Sequence, residues 1–194
     1  PGAAPKPIPP PRDYSAKEFP ELAEYQLDQR PPLEAQLMDV VDEIAYNTAD
    51  LDDGFEARLL DLDTVCAELP FFAQAYEEID RAHPGGRAAL VRGEAIKRVL
   101  NQLATDLIEN TREQVLASGA RTVEEIRLVP RRLAGFSPAI AARSGALKRF
   151  LHQRLYAHPA LVEEREHSVE ALDRLFFYYL DRPAAMPEYF AVRA

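Results

Sequence analysis

The sequence predicts an all-α protein, and three observations predict it. Apolar residues recur at helical spacing from Leu33 onward, no stretch alternates as a β-strand does, and Gly and Pro fall between the apolar segments as boundaries. At 194 residues the chain can bury a substantial core as one domain. Its 47% apolar and 28% charged residues are those of a globular protein rather than a disordered one. The expected architecture is a helical bundle.

Nine of the 16 prolines precede Leu33, so residues 1–32 cannot form one continuous helix and read as a Pro-rich linker or arm. A helical region is expected over 33–182 and a tail over 183–194. Helices are expected near 33–49, 55–69, 71–81, 87–117, 122–127, 138–157 and 160–181. The first carries the apolar stripe Leu33, Leu37, Val41, Ile44, Ala45 and Thr48, and Asp52-Asp53-Gly54 reads as its acidic terminal turn. Pro70 parts the second helix from the third, and Pro84-Gly85-Gly86 ends the third. The fourth, the longest, carries Leu90, Ala95, Val99, Leu103, Leu107, Val115 and Leu116 and should run through the core. Gly119 and Pro130 flank the short fifth helix. Ser137-Pro138 opens the sixth, with Ser as N-cap and Pro at the first helical position. Pro159 and Pro183 bracket the seventh, and His158 reads as a terminator of the sixth.

A net charge of −9 repels nucleic-acid backbones and anionic membrane surfaces at long range, so a polyanion site must be a local basic pocket and nucleic acid is not the expected partner. Cys66 stands alone and no disulfide can form within the chain; a reducing cytoplasm is the simplest compartment, and the thiol reads as inert. No apolar run approaches the roughly 18 to 20 residues of a membrane span, and no membrane association is expected. The start has neither the basic lead nor the apolar core of a signal peptide, and its lack of Met suggests that Pro1 is not a natural start.

Polar groups that could carry chemistry ride on two helices. Asp42, Tyr46 and Asp50 are four apart and share a stripe expected at the edge of the buried face. Lys148, His152 and Tyr156 repeat the same spacing beside Ile140, Leu147, Leu151 and Leu155, and could offer a cation and hydrogen-bond donors to a triphosphate. Spacing by itself favours a solvated acidic face for the first stripe, and a helix-surface role serves His152 equally well. Arg131-Arg132 and the run Glu163-Glu164-Arg165-Glu166 read as solvated charge.

Leu33-Glu34-Ala35-Gln36, Asp42-Glu43-Ile44-Ala45-Tyr46-Asn47 and Asp50-Leu51-Asp52-Asp53-Gly54 resemble the second half of bacterial deoxyguanosinetriphosphate triphosphohydrolase-like proteins of the HD superfamily. The resemblance continues through Thr105-Asp106-Leu107-Ile108-Glu109-Asn110-Thr111, Leu147-Lys148-Arg149-Phe150-Leu151 and Leu155-Tyr156-Ala157-His158-Pro159. It ends at Leu175-Phe176, Tyr179 and Met186-Pro187, so it covers nearly everything from Leu33 on. It implies the C-terminal part of an HD-type domain with a helical extension.

The same resemblance implies a divalent metal, Mn or Mg, held by a His, a His-Asp doublet and a distant Asp; Asp42 matches that Asp. None of the four histidines precedes an Asp, so the doublet is absent and the chain is expected to be the inactive C-terminal half of an enzyme, with no catalytic residue of its own. The implied parent hydrolyses deoxynucleoside triphosphates to deoxynucleoside and triphosphate as a cytoplasmic homo-oligomer. Tyr46 and Asp50 would meet the deoxyribose, and Lys148, Tyr156 and His152 the phosphates. Ala49 stands where many members of that family have His. Two alternatives remain open at this point: a helical regulatory or interaction module without catalysis, and an HD phosphohydrolase acting on other nucleotides.

Overall fold

The protein is described by a computed structural model over residues 19–26 and 28–191. Residues 1–18 and Leu27 of the expected 1–32 arm, and the last residues of the tail, lie outside the described residues. Among these there is no strand. Eight α-helices follow in order: α1 (Leu33–Glu56), α2 (Leu62–Glu68), α3 (Pro70–Ala82), α4 (Ala88–Ser118), α5 (Val123–Leu128), α6 (Pro138–Arg154), α7 (Pro159–Asp181) and α8 (Glu188–Ala191). Short 3-10 turns cover Pro20–Tyr25 and Pro183–Ala185. No helix among the described residues is long and apolar enough to cross a membrane.

α4 is the central element, packed against α1 and α3, while α6 lies against α1. Val91, Ala95, Ile96, Val99, Leu103 and Leu107 bury one face of α4 at spacings of three and four, as a core helix requires. Around it close Leu51 and Phe55 of α1, Val65 of α2, Phe72 of α3 and Leu147, Phe150 and Leu151 of α6. Phe55 and Phe72 meet with ring centroids 6.0 Å apart, and the Arg92 guanidinium lies 4.8 Å over the Phe55 ring. Cys66 is half-buried, and burial raises its thiol pKa, which disfavours the nucleophilic thiolate.

α1 runs seven residues past its expected end, and α2 begins correspondingly later. Asp52-Asp53-Gly54 has a turn's composition, yet Leu51 and Phe55 flank it four apart and both are buried, so the helix continues to place Phe55 in the core. The reversal comes at Ala57–Leu60. There Arg58 adopts φ 58°, and the Leu59 and Leu60 amides both donate to the Gly54 carbonyl at 2.9 and 3.0 Å. Leu60 thereby folds back over Gly54, where a Cβ would lie 2.6 Å from Leu60 Cδ1. Gly54 is a close-approach residue inside the helix rather than its terminator.

α6 is set by polar anchors. Ser137 makes no side-chain cap; its hydroxyl and amide instead donate to the Asp106 carboxylate of α4 at 2.6 and 2.8 Å. Asn110 donates to the Gly135 carbonyl at 2.7 Å, and Thr111 Oγ1 accepts from the Gly135 amide at 3.3 Å. On the other side Gln36 of α1, itself buried, accepts from the Leu133 amide at 2.8 Å, and Arg132 donates to the Gln36 carbonyl and, at 2.9 Å, to Asp39. Arg131 donates to Gln114 at 2.5 Å, so this basic pair is structural rather than merely solvated. α6 ends at Arg154, earlier than expected, and His158 caps the start of α7 by accepting from the Ala160 amide at 3.3 Å. None of the residues of α7 is buried.

Candidate functional site

The two stripes meet. α1 and α6 run side by side in the same direction, so a residue two turns further along one helix faces a residue two turns further along the other. At one rung Lys148 Nζ donates to Glu43 Oε2 at 2.9 Å. At the next the Tyr156 hydroxyl donates to Asp50 Oδ2. The ring of His152 stands edge-on to Tyr156 with centroids 5.6 Å apart. Tyr156 lies in the turn that follows α6, its amide donating to the Leu151 carbonyl at 2.9 Å, so the helix supplies the first rung, its closing turn the second, and the anchoring of the loop before α6 their register.

Burial first, then the hydrogen bond to Asp50 and the negative charges of Asp50 and ionised Tyr46, raise the Tyr156 pKa well above its ordinary value. Tyr156 is therefore a committed donor, and Asp50 a carboxylate with one oxygen fixed and further lone pairs available. The seam can present an ammonium, an oriented carboxylate and two aromatic rings to a polar ligand. Among these groups there is no activated nucleophile.

Asp42 and Tyr46 sit differently from the expectation. Both are exposed, Tyr46 by 61%, because the buried face of α1 runs through Gln36, Ile44, Asn47, Thr48 and Leu51. Val41 and Ala45, expected to be buried, face outward with Met38 along a groove of about 700 Å³ that also includes Asp42. Asp42 and Tyr46 thus project from the open side of α1, while Asp50, further along the same stripe, is half-buried and turns toward Tyr156. Among the described residues no three His, Cys, Asp or Glu side chains converge in a way that could hold a metal ion. Asp42 alone does not make a divalent-metal site.

A second groove, about 710 Å³, opens between α3, α4 and α6 around Lys97, Arg98 and Arg143, away from the seam. Two of its cations are already paired, Lys97 with Glu94 at 2.7 Å and Arg98 with Glu78. The seam, where both polar stripes converge, is the better candidate. The residue that sequence reasoning missed is Glu43. Its signal was present, since Glu43, Tyr46 and Asp50 lie at i, i+3 and i+7 on one face.

The phosphohydrolase-associated domain family matches residues 134–194, which contain α6 with Lys148 and His152 and the turn after it with Tyr156. A deoxyguanosinetriphosphate triphosphohydrolase-like protein of Ruegeria sp. (strain TM1040) is 39% identical over 155 residues, 80% of this chain and 40% of that protein. One from Thiobacillus denitrificans is 39% identical over 145 residues, 74% of this chain and 38% of its own length. Another, from Paracoccus denitrificans, is 34% identical over 174 residues, 90% of this chain and 46% of its length. The chain therefore spans less than half the length of these curated relatives. The aligned stretches take in 74–90% of this chain, so most of it is similar in sequence to deoxyguanosinetriphosphate triphosphohydrolase-like proteins, and residues 134–194 also match the phosphohydrolase-associated domain family.

Proposed function

We propose that this chain is the C-terminal part of a metal-dependent enzyme that hydrolyses a deoxynucleoside triphosphate to deoxynucleoside and triphosphate, and that the chain alone is inactive. The observation that carries the reading is the α1–α6 seam, where Lys148 and Asp50 stand on neighbouring rungs, an ammonium for phosphate beside an acceptor for a sugar hydroxyl. Asp42 would contribute one carboxylate to a Mn or Mg site whose other ligands come from outside this chain. Tyr46, exposed on the same helix, would pack against C2′ and leave no room for a ribose hydroxyl. The Tyr156 proton is committed to Asp50, so its part is to fix the sugar acceptor, and the phosphate side falls to Lys148 and His152. A lone cysteine fits the reducing cytoplasm.

Assaying the full-length protein with dGTP and GTP tests this. Triphosphate release with a preference for dGTP, relaxed by Tyr46→Ala, supports the reading; release of pyrophosphate or orthophosphate instead, or no turnover, overturns it. A second reading, a non-catalytic helical interaction module, is favoured by α7, whose Val169, Leu172 and Phe176 are all exposed. Self-association through α7 would also supply the homo-oligomer. Stable complex formation by a protein that turns over no nucleotide would select that reading.

A further inference from the structure

Lys148 reaches the seam on four rotatable carbon–carbon bonds, and an unpaired lysine of this kind spreads its ammonium over many positions. Here it is held: Glu43 Oε2 lies 2.9 Å from Nζ. Glu43 belongs to the same helical face as Tyr46 and Asp50, so the contact fixes the ammonium relative to the residues assigned to the sugar. The neighbouring carboxylates of α1 are placed otherwise. Asp39 is paired with Arg132 at 2.9 Å, Asp50 accepts from Tyr156, and Asp42 lies on the groove side with Met38 and Val41.

We propose that Glu43 is a positioning residue for Lys148, tethering its ammonium on the α1–α6 seam so that the remaining N–H donors face a phosphate chain. This rests on the triphosphohydrolase reading. An ammonium has three donors, and Glu43 occupies one. The side chains of Lys148 and Glu43 are 56% and 38% exposed, so the other two donors are open to a ligand arriving from solvent. The tether acts before the ligand binds: it lowers the freedom that a phosphate would otherwise have to remove from Lys148. It is not consumed when phosphate arrives, because carboxylate and phosphate take different protons of the same ammonium.

The test is a double-mutant cycle in the full-length protein, with steady-state kinetics on dGTP for wild type, Glu43→Ala, Glu43→Gln, Lys148→Ala and the Glu43→Ala/Lys148→Ala pair. Glu43→Ala should raise KM about three- to fivefold, the scale of a half-exposed ion pair, and leave kcat within a factor of about two. Glu43→Gln, whose amide oxygen still accepts from Nζ, should recover most of the loss. In the Lys148→Ala background, Glu43→Ala should change KM no further. Alanine is a strong helix former at this half-exposed position of α1, and an unchanged circular-dichroism melt verifies that the variants fold. A KM effect that persists without Lys148 assigns Glu43 to helix pairing alone and overturns the proposal. A fall in KM overturns it too, since that is the result if Glu43 merely competes with phosphate. Wild-type protein that turns over no dGTP removes the functional reading and this inference together; normal wild-type turnover with additive variants removes the inference alone.

Discussion

Asp106 accepts both donors of Ser137, the hydroxyl at 2.6 Å and the backbone amide at 2.8 Å, and so ties the first residue before α6 to the middle of α4. Everything α6 contributes to the seam inherits its register from this contact and from the Gln36 and Asn110 bonds beside it. Asp106→Ala should lower the unfolding free energy by on the order of 2 kcal/mol, since it removes two bonds to a charged acceptor and leaves Ser137 with unsatisfied donors. Urea denaturation of the chain measures it. A loss below about 0.5 kcal/mol would mean that the loop is held by Gln36 and Asn110 without Asp106.

Tyr156 predicts an alkaline dependence of stability whose sign is fixed by the direction of its shift. The folded state holds the phenol proton more tightly than the unfolded chain does, first through burial and then through Asp50. Below about pH 10 both states are protonated and the contribution is fully present. As pH rises further the unfolded chain releases its proton first, so stability declines toward the higher folded-state value. Tyr156→Phe should cost about 1–2 kcal/mol at neutral pH and flatten the decline above pH 10. Some slope should remain, because burial also raises Tyr76. Stability curves between pH 8 and 11.5 for the two proteins check both features; parallel curves would show that the hydrogen bond does not control the proton.

The 194-residue chain by itself should bind Mn²⁺ or Mg²⁺ only weakly, because among the described residues no three ligating side chains converge at Asp42 or elsewhere. Calorimetric titration with Mn²⁺ should give no stoichiometric, saturable signal at micromolar metal. A tight 1:1 isotherm, abolished by Asp42→Asn, would mean that the chain completes a metal site of its own.

The fold class and most helix boundaries were legible because they follow from periodicity and from Pro and Gly, which act locally. The end of α1 was not, since Asp52-Asp53-Gly54 has the composition of a turn while the burial of Leu51 and Phe55 on either side keeps it helical. Ser137-Pro138 correctly marked a helix start, yet the partner of Ser137 is an Asp thirty-one residues earlier, which a local capping rule does not contain. The stripes of the candidate site were legible one helix at a time. Their pairing was not: Glu43 with Lys148 and Asp50 with Tyr156 are joined across |i−j| of 105 and 106, and only the packing of α1 on α6 makes them neighbours. The same packing decides that Tyr46 and Val41 face outward.

α7 keeps its backbone hydrogen bonds with no buried side chain to defend them. Protection of its amides against deuterium then rests on helix–coil equilibrium alone, whereas those of α4 open only when the core does. In the isolated chain the Pro159–Asp181 amides should exchange orders of magnitude faster than those around Val99 and Leu103. Far-ultraviolet ellipticity should accordingly fade on warming before the aromatic signals of Phe55, Phe72 and Tyr76 change. Any partner that covers Val169, Leu172 and Phe176 would erase that early phase, so the exchange rate of one helix reports occupancy of its face without any assay of turnover.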